Sequence, residues 1–196
     1  MKLRLNKVFL LLFFSYFPFF GQKKLPDLEL KDIKIQYAEP AEKVKLKENE
    51  ILVSFFSTGG LSYELHINNF VFTQNSNVEY SKEKVYYKHG KKHRTERIKL
   101  SPERQSKLLE IINSEFFLNF SKFTQNDFQH SRNNHQICRD NYVDDTPENF
   151  VIIKQNNKTS ELFVYLPKAN QNCTEENSPL RKFINLHEFF GIDLNR

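Results

Sequence analysis

The chain has 196 residues, two Cys, no Trp, and 29 Lys and Arg against 24 Asp and Glu. Three of those cations, Lys2, Arg4 and Lys7, open the chain, and without them the balance is 26 against 24, so no global basic pull toward nucleic acid remains. The length suits one domain with its own hydrophobic core, and no internal repeat divides it.

Residues 1–21 read as a secretory signal peptide. The basic start holds no acid, Val8 to Phe20 is a 13-residue apolar run broken only by Ser15 and Pro18, and Gly21 stands at the exit. A positive start, about 7–15 apolar residues and a small exit residue define such a signal. The run falls short of the roughly 20 residues that a bilayer crossing needs. Cleavage is expected near Gly21, although Phe19 occupies a position where a small residue is preferred. An uncleaved anchor is the alternative, and the absence of a Cys after the run argues against a lipoprotein. The expected location is periplasmic or extracellular, with no transmembrane segment in the mature chain.

Residues 22–49, rich in Lys and Glu and holding Pro26 and Pro40, read as an extended or partly disordered leader, with a strand candidate at Ile33–Ile35. A single domain is then expected over residues 50–196. Ile51 to Ser57 is a β-prone run closed by a turn at Thr58-Gly59-Gly60. Leu61, Tyr63, Leu65 and Ile67 alternate with polar residues, which predicts a half-buried strand with one wet face. Asn68-Asn69 is a turn candidate before Phe70-Val71-Phe72-Thr73. Two more strands are expected over Val78–Tyr87 and His93–Leu100.

Ser101-Pro102-Glu103 starts a helix, with Ser as the cap, Pro in the first helical position and an acid at the positive end of the dipole. Leu108, Leu109, Ile111, Ile112, Phe116 and Phe117 form its apolar stripe. Ser178-Pro179 repeats the grammar, with Leu180, Phe183, Ile184, His187 and Phe190 on one face and Gly191 placed as the left-handed cap. Between the helices, Phe150–Lys154 and Ser160–Leu166 predict a hairpin that turns at Asn156-Asn157-Lys158. The expected fold is α+β: an antiparallel β-meander plus a β-hairpin, with two helices packed on the sheet. Cys138 and Cys173 leave the same end of that hairpin, and in an oxidising compartment an even pair reads as one disulfide.

Two surfaces could carry chemistry. Residues 82–99 hold eight cations against Glu83 and Glu96, with His89 and His93 besides. Lys88, Lys91, Lys92, His93, Arg94 and Arg97 are the candidate binding residues, beside Tyr80, Tyr86 and Tyr87. Clustered cations on a ribbon suit an anionic glycan or an acidic protein surface. The plainer reading is a solvated hairpin whose lysines discourage edge-to-edge pairing. The second surface is the polar stretch 120–149, with His130, His135, Cys138, Asp140, Asp144 and Asp145. Imidazoles and carboxylates can bind zinc, and His130, His135 and Asp140 are the metal alternative, but their spacing matches no zinc or EF-hand signature. No metal and no cofactor are expected.

Catalytic motifs are absent: there is no G-x-S-x-G, P-loop, G-x-G-x-x-G or C-x-x-C. His187-Glu188 begins like a zincin helix, but Gly191 stands where the second ligand belongs, so His187 reads as a helix-face residue packing near Phe190. The run Ile51-Leu-Val-Ser-Phe-Phe-Ser-Thr-Gly-Gly-Leu-Ser-Tyr-Glu-Leu, followed by Leu100-Ser-Pro-Glu and a Leu-rich helix ending Glu115-Phe-Phe, resembles small exported bacterial domains of unknown function. The resemblance spans about residues 50–166 and lacks the Cys-Pro pair after the Gly turn. It implies export and an α+β fold, and brings no activity. The expectation is a non-catalytic exported binding or interaction module. The alternatives are a polyanion binder acting through residues 82–99 and a hydrolase with a site in residues 120–149.

Overall fold

A computed structural model describes residues 24–31, 43–58, 64–86, 92–128, 148–165 and 175–194. The signal segment, the Ile33–Ile35 strand candidate, Cys138 and Cys173 lie outside them. The β-prone runs form β1 (Ile51–Thr58), β2 (Glu64–Phe72), β3 (Val78–Tyr86), β4 (Lys92–Ile98), β5 (Glu148–Gln155) and β6 (Lys158–Tyr165). They join in one antiparallel sheet of order β4-β3-β2-β1-β5-β6. The chain also forms α1 (Pro102–Ile112), α2 (Glu115–Phe120) and α3 (Pro179–Phe190). The fold is α+β, as the order of the local patterns requires.

Strand alternation sends side chains to two faces, and both are buried near β1. On the helix side, Ile51, Val53, Phe55, Phe70, Phe72, Val78, Val151 and Ile153 meet Leu108, Ile112, Phe117, Phe183, Ile184 and Phe190 in the main core. On the opposite side, Leu52, Phe56, Leu65, Ile67, Val85, Phe150 and Ile152 form a second cluster that Val44 and Leu46 pack against. Leu65 and Ile67 therefore bury away from the helices, and the wet face expected for this strand is the helix side at His66.

Asn68-Asn69 is not a turn. β2 runs through it to Phe72 because the side chain of Asn69 is satisfied inside the sheet. Ser54 Oγ donates to Asn69 Oδ1, and Asn69 Nδ2 donates to Glu83 Oε1 at 2.9 Å. A buried amide with partners on both neighbouring strands loses the incentive to leave the ladder.

The expected first helix is two helices. Asn113 Nδ2 donates to the Leu109 carbonyl at 2.7 Å, closing α1, and Ser114 Oγ accepts from Phe117 N at 3.3 Å, opening α2. The break lets Phe117 and Phe120 bury, which a straight continuation would place by a different phase. α3 begins at Ser178, whose Oγ accepts from Arg181 N at 3.2 Å, and ends at Gly191 with φ 67°. Only a residue without Cβ adopts that left-handed cap at little cost.

Part of the leader belongs to the core. Leu25, Leu28 and Leu30 are buried with the helix-side cluster. Gln155 holds this segment as a strand would: its Oε1 accepts from Leu28 N at 2.7 Å and its Nε2 donates to Pro26 O at 2.8 Å.

Candidate anion-binding ribbon

The β3–β4 hairpin forms because its residues alternate, and its register decides which cations meet. Lys84 lies opposite Arg94, Lys82 opposite Glu96 and Tyr80 opposite Ile98. On the other side of β3, His66 lies opposite Lys84, Asn68 opposite Lys82 and Phe70 opposite Tyr80. Residues directly opposite one another share a face. The helix-side face of the ribbon thus carries the row His66-Lys84-Arg94 next to the row Asn68-Lys82-Glu96.

The last turn of α3 explains why those rows reach water. Phe190 packs on Phe55, Phe70 and Phe72, with ring centroids 4.9, 5.0 and 6.2 Å apart. Tyr80 continues that layer by stacking on Phe70 at 4.4 Å and 4°. Beyond Tyr80 the helices no longer cover the sheet, and His66, Lys82 and Arg94 are exposed. Lys82 Nζ stands 5.9 Å from the Tyr80 ring centroid, within reach of a cation–π attraction. The Tyr80 hydroxyl donates to Asn68 Oδ1 at 2.9 Å. Burial pushes that hydroxyl above the usual phenol range, with Arg104 pulling down and Glu96 pushing up, so it remains a neutral donor.

The ribbon's acids divide between the faces, with Glu79 and Glu83 on the second face and Glu96 on the helix side. Glu83 lies on the second face and accepts from Asn69, while Glu96 stays with the cations. Among the described side chains, Lys82, Lys84 and Arg94 therefore share the helix side with Glu96, and Lys84 lies directly opposite Arg94. Like charges opposite one another on a sheet are destabilising by some tenths to about 1 kcal/mol.

Of the candidate residues read from sequence, Arg94 and Arg97 are exposed on opposite faces of β4. Lys92 and His93 are strand positions opposite Tyr86 and Val85. Lys88 and Lys91 lie outside the described residues. Sequence reasoning left His66 out of the site, since only the β2–β3 register reveals that it borders Lys84. The Lys82, Lys84 alternation was legible as two cations on one side of a strand.

The metal alternative, His130, His135 and Asp140, lies outside the described residues; among those described, no three His, Cys, Asp or Glu side chains gather. His187 sits in the core, its ring centroid 4.8 Å from Phe55 and 4.5 Å from Phe183. Its Nδ1 donates to the Phe183 carbonyl at 2.9 Å, and burial lowers its pKa to about 4. Ser57 Oγ, near the end of β1, donates to Asn149 Oδ1 at 2.8 Å. Among the described residues, no helix is long and apolar enough to cross a membrane. Compared with protein-family models and with curated proteins, the chain matches none.

Proposed function

We propose that this protein is an exported, non-catalytic interaction module that holds an anionic partner on the β3–β4 ribbon. The observation that carries the reading is the register-imposed row His66-Lys84-Arg94, with Lys82 beside it. It gathers cations at the place where helix cover ends. Tyr80 borders the patch, its ring stacked on Phe70 and its hydroxyl held by Asn68. In an exported protein, the available anions are envelope glycans, lipid headgroups and acidic protein segments.

Export and a Cys138–Cys173 bridge belong to the same reading, supported by the basic start, the 13-residue apolar run and the even Cys pair. Intact mass of protein from its native host reads both. The expected mass begins near Gln22 and lacks the two hydrogens of free thiols; a full-length chain or an unbridged mass overturns the corresponding part.

Binding is tested by retention on immobilised heparin at low salt. The wild-type chain is expected to bind and to elute as salt rises past physiological strength, where the screening length is about 8 Å. Lys82→Glu with Arg94→Glu, both at exposed positions, should abolish retention while changing stability by less than about 1 kcal/mol, as exposed charges usually do. Wild-type protein that flows through at low salt ends the anionic-partner reading.

A further inference from the structure

The two outer strands of the sheet are treated differently. β6 is closed at Phe163, where Gln125 Oε1 accepts from the backbone N–H at 2.9 Å and Gln125 Nε2 donates to the carbonyl at 3.0 Å. That side chain occupies the place of a seventh strand's backbone. β4 has no such cover: among the described residues it pairs with β3 alone. The neighbouring Gln105 serves Val78 N and the Leu100 carbonyl, and so stops just past the end of β4.

The backbone phase of β4 follows from the ladder. Thr73 N donates to the Asn77 carbonyl at 2.9 Å, which sets the alternation of the β2–β3 hairpin. Counting along the unbroken register, Tyr80, Lys82 and Lys84 turn their backbone groups to β4, where Ile98, Glu96 and Arg94 receive them. The backbone N–H and C=O of Thr95 and Arg97 then point away from the sheet. Residues 94–97 are all exposed.

We infer that β4 is a docking edge for an acidic, extended peptide, which adds to the sheet as a further strand. This deepens the anionic-partner reading and rests on it. Arg94 and Arg97 lie on opposite faces of β4, so a ligand lying flat on either face reaches one of them, whereas a strand laid alongside reaches both. The seven residues of β4 offer about 23 Å of edge at roughly 3.3 Å each, the length of a short peptide strand. Cations on an outer strand normally deter pairing. Here they deter a second copy of this chain, whose β4 carries the same excess of cations, and they favour an acidic strand. Backbone bonds supply the affinity and the carboxylates the selectivity.

The experiment uses the full chain and a labelled peptide, Thr-Glu-Val-Glu-Glu-Val-Thr, in two further forms N-methylated on alternate amides. A strand pairs through one edge only, so methylation of one set of amides should weaken binding about 10-fold or more, a loss of about 1.4 kcal/mol, and methylation of the other set should not. Thr95→Pro removes an outward N–H without touching the β3 ladder, and should abolish peptide binding while heparin retention persists. Proline is tolerated on such an edge; if that variant fails to fold, the methylated pair decides alone. Equal binding of both methylated forms overturns strand addition and leaves the anionic-partner reading standing. Heparin retention with no peptide binding overturns the peptide in favour of a glycan. Failure of both ligands removes both readings.

Discussion

His187 shows how a single side chain ties stability to pH. It is buried against Phe55 and Phe183 with its Nδ1 hydrogen committed to a carbonyl, so the fold holds the neutral ring. Burial lowers its pKa to about 4 from an unfolded value of 6.5. Between those values the unfolded chain binds the proton and the folded chain does not. This contribution is therefore whole above about pH 6.5 and is lost as pH falls toward 4, by up to about 3 kcal/mol. Urea denaturation at a series of pH values should show that slope in the wild type. His187→Leu should flatten it, because the Phe183 carbonyl keeps its helical N–H partner; an unchanged slope in the variant would assign the acid sensitivity to other groups. The helix-face position of His187 was legible from the spacing of Leu180, Phe183, Ile184 and Phe190. Its neutrality was not, because it depends on Phe55, which is remote in the chain.

Helix boundaries were the most local features and the easiest to read. Ser101, Ser178 and Gly191 each act through groups within a few residues, and all three cap as their residue types require. Ser178→Ala should lower stability by about 1 kcal/mol, seen as an earlier urea midpoint with an unchanged slope. A midpoint that does not move would mean that tertiary packing, rather than the cap, holds the start of α3. Ser114 was missed as a cap because Leu108 to Phe117 reads as one continuous apolar stripe. Asn68-Asn69 failed as a turn for the complementary reason: Asn favours turns when its amide must find a partner nearby, and Asn69 finds Ser54 and Glu83 on neighbouring strands. The ribbon divides in the same way. Its excess of cations is a matter of composition, while the pairing of Lys84 with Arg94 and His66 is a matter of register.

Across the whole molecule, the leader is the segment whose role changes most between sequence and structure. Pro26, Lys24 and Glu29 give residues 24–31 a loop-like composition, yet Leu25, Leu28 and Leu30 fill the helix-side core and Gln155 bonds Leu28 N and the Pro26 carbonyl. Leu28→Ala should therefore cost about 2–5 kcal/mol, as a core truncation does. A loss near zero in urea denaturation would show that the leader lies loosely on the sheet. Sequence by itself determined the α+β class, most of the strand positions, the caps at Ser101, Ser178 and Gly191 and the concentration of charge at residues 82–99, because each follows from periodicity or from contacts a few residues long. Only the tertiary structure decided which strand lies outermost, which edge a glutamine closes, and which cations share a face. Those outcomes depend on pairing between residues far apart in the chain, such as Gln155 with Leu28 and Gln125 with Phe163, and a one-residue change of register would exchange the two faces of every strand.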